Sequence, residues 1–104
     1  MSKIEEKKDI LEFIKDNRER LLTFGVKKIG IFGSFVRGEQ SKNSDLDILV
    51  EFDPEKKNYK NYIKLYNFLE DSLGVSVDMV TSESLSPYIG PHILKEVEYF
   101  VLSG

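Results

Sequence analysis

The chain has 104 residues, no cysteine and a formal net charge of −3. This length predicts a single domain over residues 1–104, and the absence of cysteine excludes disulfides and thiolate metal sites. The acidic balance argues against direct nucleic-acid binding, which calls for a basic surplus. No apolar run approaches the roughly 20 residues of a membrane span, and the first residues lack a signal-peptide core, so we expect a cytoplasmic protein without membrane contact.

The first third of the chain predicts a helix followed by a strand. Apolar residues recur at spacings of three and seven over residues 3–23, which predicts a helix with one buried stripe, and Gly25 ends it. The segment "VKKIGIF", residues 26–32, predicts a β-strand. Directly after Gly33 and Ser34, "FVRGE" predicts the start of a short helix.

Two more strands and a second long helix follow. The segment "SDLDILVEF", residues 44–52, predicts a strand, and residues 58–73 carry a helical apolar stripe that Gly74 ends. The segment "VSVDMVT", residues 75–81, alternates between apolar and polar side chains, as a strand does. The later segment "HILKEVEYFV" predicts either a helix or a helix followed by a strand. The elements together predict an α/β fold of the α+β kind, a short mixed sheet with helices packed on one face.

A glycine and a serine stand at the predicted end of the first strand. Gly33 lets an anion approach the backbone closely, and the Ser34 hydroxyl adds a hydrogen-bond donor next to the free N–H groups of a helix start. The pair therefore has the outline of a phosphate-binding turn. An ordinary tight turn has the same residues, so both interpretations stay open at this point.

Three aspartates lie on two of the predicted strands. Asp45 and Asp47 share one strand face about 6.6 Å apart, near enough to converge on one divalent cation that cancels their repulsion. Asp78 has a similar setting on the third strand, and all three carboxylates meet on one face if those strands are neighbours. Oxygen ligands without nearby histidine or cysteine favour Mg²⁺ or Mn²⁺ over zinc. A phosphate-binding turn beside such carboxylates is typical of phosphoryl or nucleotidyl transfer.

These residues carry a resemblance to a known family. The sequence resembles the minimal nucleotidyltransferases of the DNA polymerase β superfamily, whose signature is "GS-x-x-RG" followed by "SD-x-D" and a third aspartate on a later strand. The resemblance covers residues 29–81, and the residues that match the signature are Gly33, Ser34, Arg37, Gly38, Ser44, Asp45, Asp47 and Asp78.

The resemblance implies a role for each of the main residues. Gly33 and Ser34 would bind the triphosphate of ATP. Asp45 and Asp47 would hold two Mg²⁺ ions, with Mn²⁺ as an alternative. Asp78 would complete the site of the metal that activates the acceptor hydroxyl and would act as, or beside, its general base.

Arg37, Ser44 and three tyrosines have two interpretations each. Arg37 either pairs with a phosphate or forms a structural ion pair across the turn. Ser44 either donates to a phosphate or a metal-bound water, or simply begins a strand. A helical stripe of tyrosines indicates core packing, with base stacking or partner contact as the alternative, and comprises Tyr59, Tyr62 and Tyr66.

The resemblance also implies a partner. Family members of this length resemble the antitoxin halves of toxin–antitoxin modules, in which the partner is a helical HEPN-type ribonuclease that receives AMP from ATP. It therefore implies a magnesium-dependent protein adenylyltransferase acting as an antitoxin, with a hydroxyl acceptor, which we expect to be tyrosine. A non-catalytic module that blocks the toxin by contact is the first alternative. The second, transfer to a small molecule, is disfavoured because the sequence has no acceptor domain, although a homodimer would supply one.

Overall fold

The computed structural model describes residues 4, 6–41 and 43–102. Within these residues the chain forms helices and strands in the order α1 Lys7–Asp16, α2 Arg18–Thr23, β1 Val26–Phe32, α3 Ser34–Arg37, β2 Leu46–Phe52, α4 Tyr59–Leu73, β3 Val77–Thr81, a single 3₁₀ turn Ser82–Ser84, α5 Gly90–Glu96 and β4 Glu98–Val101. The predicted α+β fold is confirmed. No helix of the described residues is long and apolar enough to cross a membrane.

The four strands form one mixed sheet in the order β3-β2-β1-β4. β2 and β3 are parallel, whereas β1 is antiparallel to both β2 and β4. β1 has the predicted bounds, while β2 and β3 each begin two residues later than predicted, at Leu46 and Val77. The helix–strand alternative for the last segment is confirmed, because β4 follows α5 and pairs with β1.

One face of the sheet holds the hydrophobic core. Ile31 pairs with Ile48 and Ile29 with Val50 across the two central strands, and these side chains are at most 1% exposed. Buried residues of α1, α2 and α4 belong to the same cluster, among them Ile14, Leu21 and Leu65. Burial of each large aliphatic side chain stabilises the fold by roughly 1.5–3 kcal/mol, so this layer sets the position of the strands.

The first predicted helix is divided into α1 and α2. Asn17 separates them with φ −111° and ψ 19°, and its side-chain amide donates to the Phe13 carbonyl at 2.9 Å. Asparagine competes with helical hydrogen bonding in this way, which explains the break that the apolar spacing did not predict. Residues 3 and 5 of the predicted helix lie outside the described residues.

The second long helix, α4, ends where its sequence predicts and begins at Tyr59, one residue later than predicted. The Asn58 side chain accepts from the Asn61 N–H at 2.8 Å, and Gly74 closes the helix in the left-handed conformation with φ 68°. Tyr62 and Tyr66 pack against the core, which confirms the packing interpretation for these two, whereas Tyr59 is 79% exposed.

The opposite face of the sheet is covered only in part. Over β1 and β4 it is closely covered, because a Cβ on Gly30 would overlap Val97 and Tyr99. Over β2 and β3, Asp47 is half-buried and Asp78 is exposed. The fold therefore leaves the aspartate-bearing end of the two parallel strands open.

Candidate active site

The parallel pairing of β2 and β3 brings two aspartates together. Asp47 is the register partner of Asp78, so both side chains lie on the same face of the sheet. Two neighbouring carboxylates repel one another as anions, so a proton or a cation between them is favoured.

Asp45 stands two residues before Asp47 in the chain. It precedes β2, whose first residue Leu46 donates to the Ser76 carbonyl at 2.8 Å, and its own side chain is exposed. In the described ranges, 4, 6–41 and 43–102, no three His, Cys, Asp or Glu side chains are grouped closely enough to hold one metal ion. The sequence led us to expect three convergent carboxylates. The structure brings Asp47 and Asp78 together and places Asp45 just before β2, outside the β2–β3 ladder.

The electrostatics of Asp47 reflect its position. Burial, followed by the neighbouring Asp78 and Asp45 carboxylates, raises the pKa of Asp47 from 3.8 to about 6, while the Arg37 guanidinium opposes the rise. A divalent cation would cancel the charge repulsion that contributes to this shift. The donor set of carboxylate oxygens therefore fits a hard cation such as Mg²⁺.

Without metal, we expect the Asp47→Asn variant to be more stable than the parent, by a difference in the free energy of unfolding that grows as the pH rises. The folded-state pKa of about 6 lies above the ordinary 3.8, so the contribution of Asp47 to stability is largest below pH 4 and is lost as the pH rises through 6. Asparagine does not titrate. At pH 7, with a chelator present, the free energy of unfolding of the variant should exceed that of the parent by about 1–2 kcal/mol. This is less than the same pKa shift would give for a fully buried side chain, because Asp47 is partly exposed and solvent screens its charge.

Denaturant titration of both proteins at pH 4, 5, 6 and 7 measures this difference. Asp71→Asn, on the exposed side of α4, is the matched control for the loss of one carboxylate. A constant gap between Asp47→Asn and the parent over this range would contradict the raised pKa.

The turn between β1 and α3 packs directly against Asp47. Gly33 has φ 78° and ψ −152°, and a Cβ at this position would overlap Asp47 Oδ2 and lie 3.0 Å from Asp47 Cγ. Only glycine allows both this backbone conformation and this approach. Ser34 follows as the first residue of α3. The turn that the sequence identifies as a phosphate-binding candidate thus adjoins the Asp47–Asp78 pair.

Arg37 forms ion pairs with two glutamates. Its Nε lies 2.7 Å from Glu39 Oε1 and its Nη1 lies 2.9 Å from Glu96 Oε2. These contacts raise the pKa of Arg37, Glu39 contributing most. Of the two interpretations of Arg37, this arrangement is the structural ion pair.

Glu96 is a site residue that the sequence did not reveal. Its Oε1 accepts from the Gly33 N–H at 2.8 Å, and this hydrogen bond, with Arg37 as a further cause, lowers the pKa of Glu96. Glu96 is 63 residues from Gly33 in the sequence. Only the pairing of β4 with β1 brings them together, so the sequence pattern carried no signal for the contact.

Ser44 contributes to the loop that leads into β2. Its hydroxyl oxygen accepts from the Ser41 N–H at 2.8 Å and lies 3.3 Å from Ser41 Oγ. The Ser44 N–H donates to the Ser41 carbonyl at 3.1 Å. These bonds close the turn before Asp45, and they match the interpretation of Ser44 as the residue that leads into the strand.

Comparison with known proteins assigns this arrangement to a family. The sequence profile of the nucleotidyltransferase domain matches residues 7–100. The chain belongs to the nucleotidyltransferase family. A relative from Thermococcus cleftensis, named protein adenylyltransferase MntA, is 47% identical over 85 residues, which make up 82% of this chain and 82% of that protein.

Solved structures show the same fold for this nucleotidyltransferase. One that is provisionally described as a minimal nucleotidyltransferase has a TM-score of 0.68 at 36% identity and covers 85% of this chain and 93% of that chain. A toxin–antitoxin structure with AMP-PNP has a TM-score of 0.61 at 24% identity, over 85% of this chain and 73% of that chain. The protein is therefore an enzyme with the polymerase-β-like fold, as the sequence resemblance predicts.

Proposed function

We propose that this nucleotidyltransferase transfers AMP from ATP to a tyrosine hydroxyl of a HEPN-type ribonuclease toxin and thereby acts as its antitoxin. The observation that carries the proposal is the Asp47–Asp78 pair beside the Gly33 turn. The name of the 47% identical relative, a protein adenylyltransferase, supports a protein acceptor. The toxin–antitoxin structure with AMP-PNP supports a toxin partner and an adenine nucleotide through the shared fold.

The reaction breaks a phosphoanhydride bond of ATP and forms a phosphodiester bond to the acceptor. The acceptor oxygen attacks the α-phosphorus of ATP, the bond from that phosphorus to the α–β bridging oxygen breaks, and pyrophosphate leaves. A tyrosine hydroxyl has an ordinary pKa near 10, so at neutral pH it reacts slowly unless a base removes its proton. Asp78, exposed beside Asp47, is the residue that we assign to this step.

The proposal includes a divalent cation, Mg²⁺ or alternatively Mn²⁺. The family resemblance implies two ions: Asp45 and Asp47 would hold both, once the exposed Asp45 side chain turns toward Asp47, and Asp78 would complete the site of one of them. When bound, the metal supplies positive charge against the triphosphate and the developing charge of the reaction. Gly33 and Ser34 hold the phosphate tail against this end of the sheet.

The surroundings of the pair suit a large acceptor. Asp78 is exposed, and the aspartate-bearing end of the two parallel strands is open.

Transfer of label from ATP tests the proposal. ATP labelled at the α-phosphate should label a HEPN-type partner protein, whereas ATP labelled at the γ-phosphate should not. Label from the γ-position alone would indicate a kinase reaction. No label from either position, with a partner shown to bind, would contradict the proposed transfer.

Ligands of the native state should also stabilise it. We expect millimolar Mg²⁺ to raise the thermal midpoint of the protein and ATP with Mg²⁺ to raise it further, because both bind the folded state only. Asp47→Asn should lose most of this gain, and Asp71→Asn, a matched change on α4, should retain it. A midpoint that does not respond to Mg²⁺ and ATP would contradict a working nucleotide site.

A further inference from the structure

Glu96 joins the two ends of the short helix α3. Its Oε1 accepts from the N–H of Gly33, which precedes the helix, at 2.8 Å. Its two carboxylate oxygens also lie 2.9 and 3.1 Å from Nη1 of Arg37, the last residue of the helix. One side chain therefore fixes both the phosphate-binding turn and the helix that follows it.

The position of Glu96 is set by the sheet. Glu98, two residues later, pairs with Ile31, and Tyr99 pairs with Gly30, so β4 is registered against the strand that ends at Gly33. Val97 lies between, close to the Gly30 backbone. The ladder that begins at Glu98 therefore holds the backbone at Glu96 near the turn, where its carboxylate meets the Gly33 N–H.

We propose that Glu96 is a positioning residue for the triphosphate of the nucleotide. The inference rests on the proposed function, since it concerns how the same site binds ATP. Glu96 acts through Gly33, whose turn it holds against Asp47, and through Arg37, whose guanidinium it keeps paired with carboxylates. Arg37 is then part of the support for the turn, and the backbone of the turn makes the phosphate contact.

Two substitutions of Glu96 distinguish its hydrogen bond with the Gly33 N–H from its ion pair with Arg37. Glu96→Ala removes the acceptor for the Gly33 N–H and one partner of Arg37. Glu96→Gln keeps an oxygen that accepts from Gly33 and removes only the charge that pairs with Arg37. Glu98→Gln is the matched control, because Glu98 is an equally charged neighbour that pairs with Lys7, outside the site.

The expected result is a change in KM for ATP with little change in kcat. Loss of a hydrogen bond to a charged group commonly weakens an interaction by about tenfold or more, so Glu96→Ala should raise the KM for ATP by about tenfold and change kcat by less than about threefold. Glu96→Gln should recover part of the loss, and Glu98→Gln should resemble the parent. AMP, which lacks the β- and γ-phosphates, should bind parent and variants equally.

Calorimetric binding of α,β-methylene-ATP with Mg²⁺ completes the test and uses no partner. If the parent itself does not bind this analogue, the proposed function fails. If the parent binds it and both Glu96 variants, shown to be folded by thermal unfolding, bind it equally well, only the positioning role fails. Tighter binding by the variants would also overturn the role, because Glu96 would then compete with phosphate for the Gly33 N–H.

Discussion

The double substitution Asp45→Asn and Asp47→Asn is expected to reduce AMP transfer by about a thousandfold or more. Each change removes one negative charge with almost no change in volume, so the loss falls on metal and phosphate binding rather than on packing. Asp45 is exposed and Asp47 half-buried on the open face, away from the core cluster. The variant should therefore fold, and transfer of α-label from ATP to the partner measures its activity.

The same variant distinguishes the enzyme from a module that acts by contact alone. Under the proposed function it still binds the partner but no longer neutralises it, because the tyrosine stays unmodified. Asp71→Asn is the control for a change of charge elsewhere and should neutralise the toxin as the parent does. Full neutralisation by the double variant would favour the contact alternative and contradict an enzymatic antitoxin.

Asp78→Asn is expected to retain ATP binding and to lose transfer. ATP binding rests mainly on the Gly33–Ser34 turn together with Asp45 and Asp47, whereas the acceptor proton is assigned to Asp78. Removal of a general base commonly costs about a hundredfold to ten-thousandfold in rate, so transfer at saturating partner should fall by that factor. The KM for ATP should change by less than about threefold.

Two controls accompany the Asp78 substitution. Asp53→Asn changes a partly buried aspartate beyond the far end of β2, away from the Asp47–Asp78 pair, and should leave transfer unchanged. A rise in the KM for ATP with an unchanged kcat would show instead that Asp78 acts in nucleotide binding. Equal rates of transfer for Asp78→Asn and the parent would contradict the role of Asp78 as the general base.

The sequence predicts the fold well where local signals agree. The strand segment of β1 and the glycine that ends α4 are local signals, and the structure gives β1 the predicted residues 26–32 and ends α4 at Leu73, before Gly74, as predicted. The break at Asn17 depends on a single side-chain hydrogen bond, which the apolar spacing of the helix did not reveal. The strand order also lay beyond local patterns, because it is set by contacts between distant segments.

The residues of the candidate site could also be predicted only in part. The sequence placed Gly33 and Ser34 in a turn after β1 and predicted that Asp78 meets Asp47 if their strands are neighbours, and β2 and β3 are neighbours in the sheet. It did not identify Glu96, whose contact with Gly33 arises only when β4 pairs with β1. It also placed Asp45 within β2, whereas the ladder begins at Leu46 and leaves Asp45 exposed.

The most direct test of the account is mass mapping of the HEPN-type protein after co-expression with this nucleotidyltransferase. We expect an AMP group on a tyrosine hydroxyl of that protein with the parent, and an unmodified tyrosine with Asp45→Asn/Asp47→Asn. Substitution of the mapped tyrosine by phenylalanine should abolish the modification. AMP found only on small molecules or RNA ends, with the partner protein unmodified, would contradict transfer to a protein tyrosine.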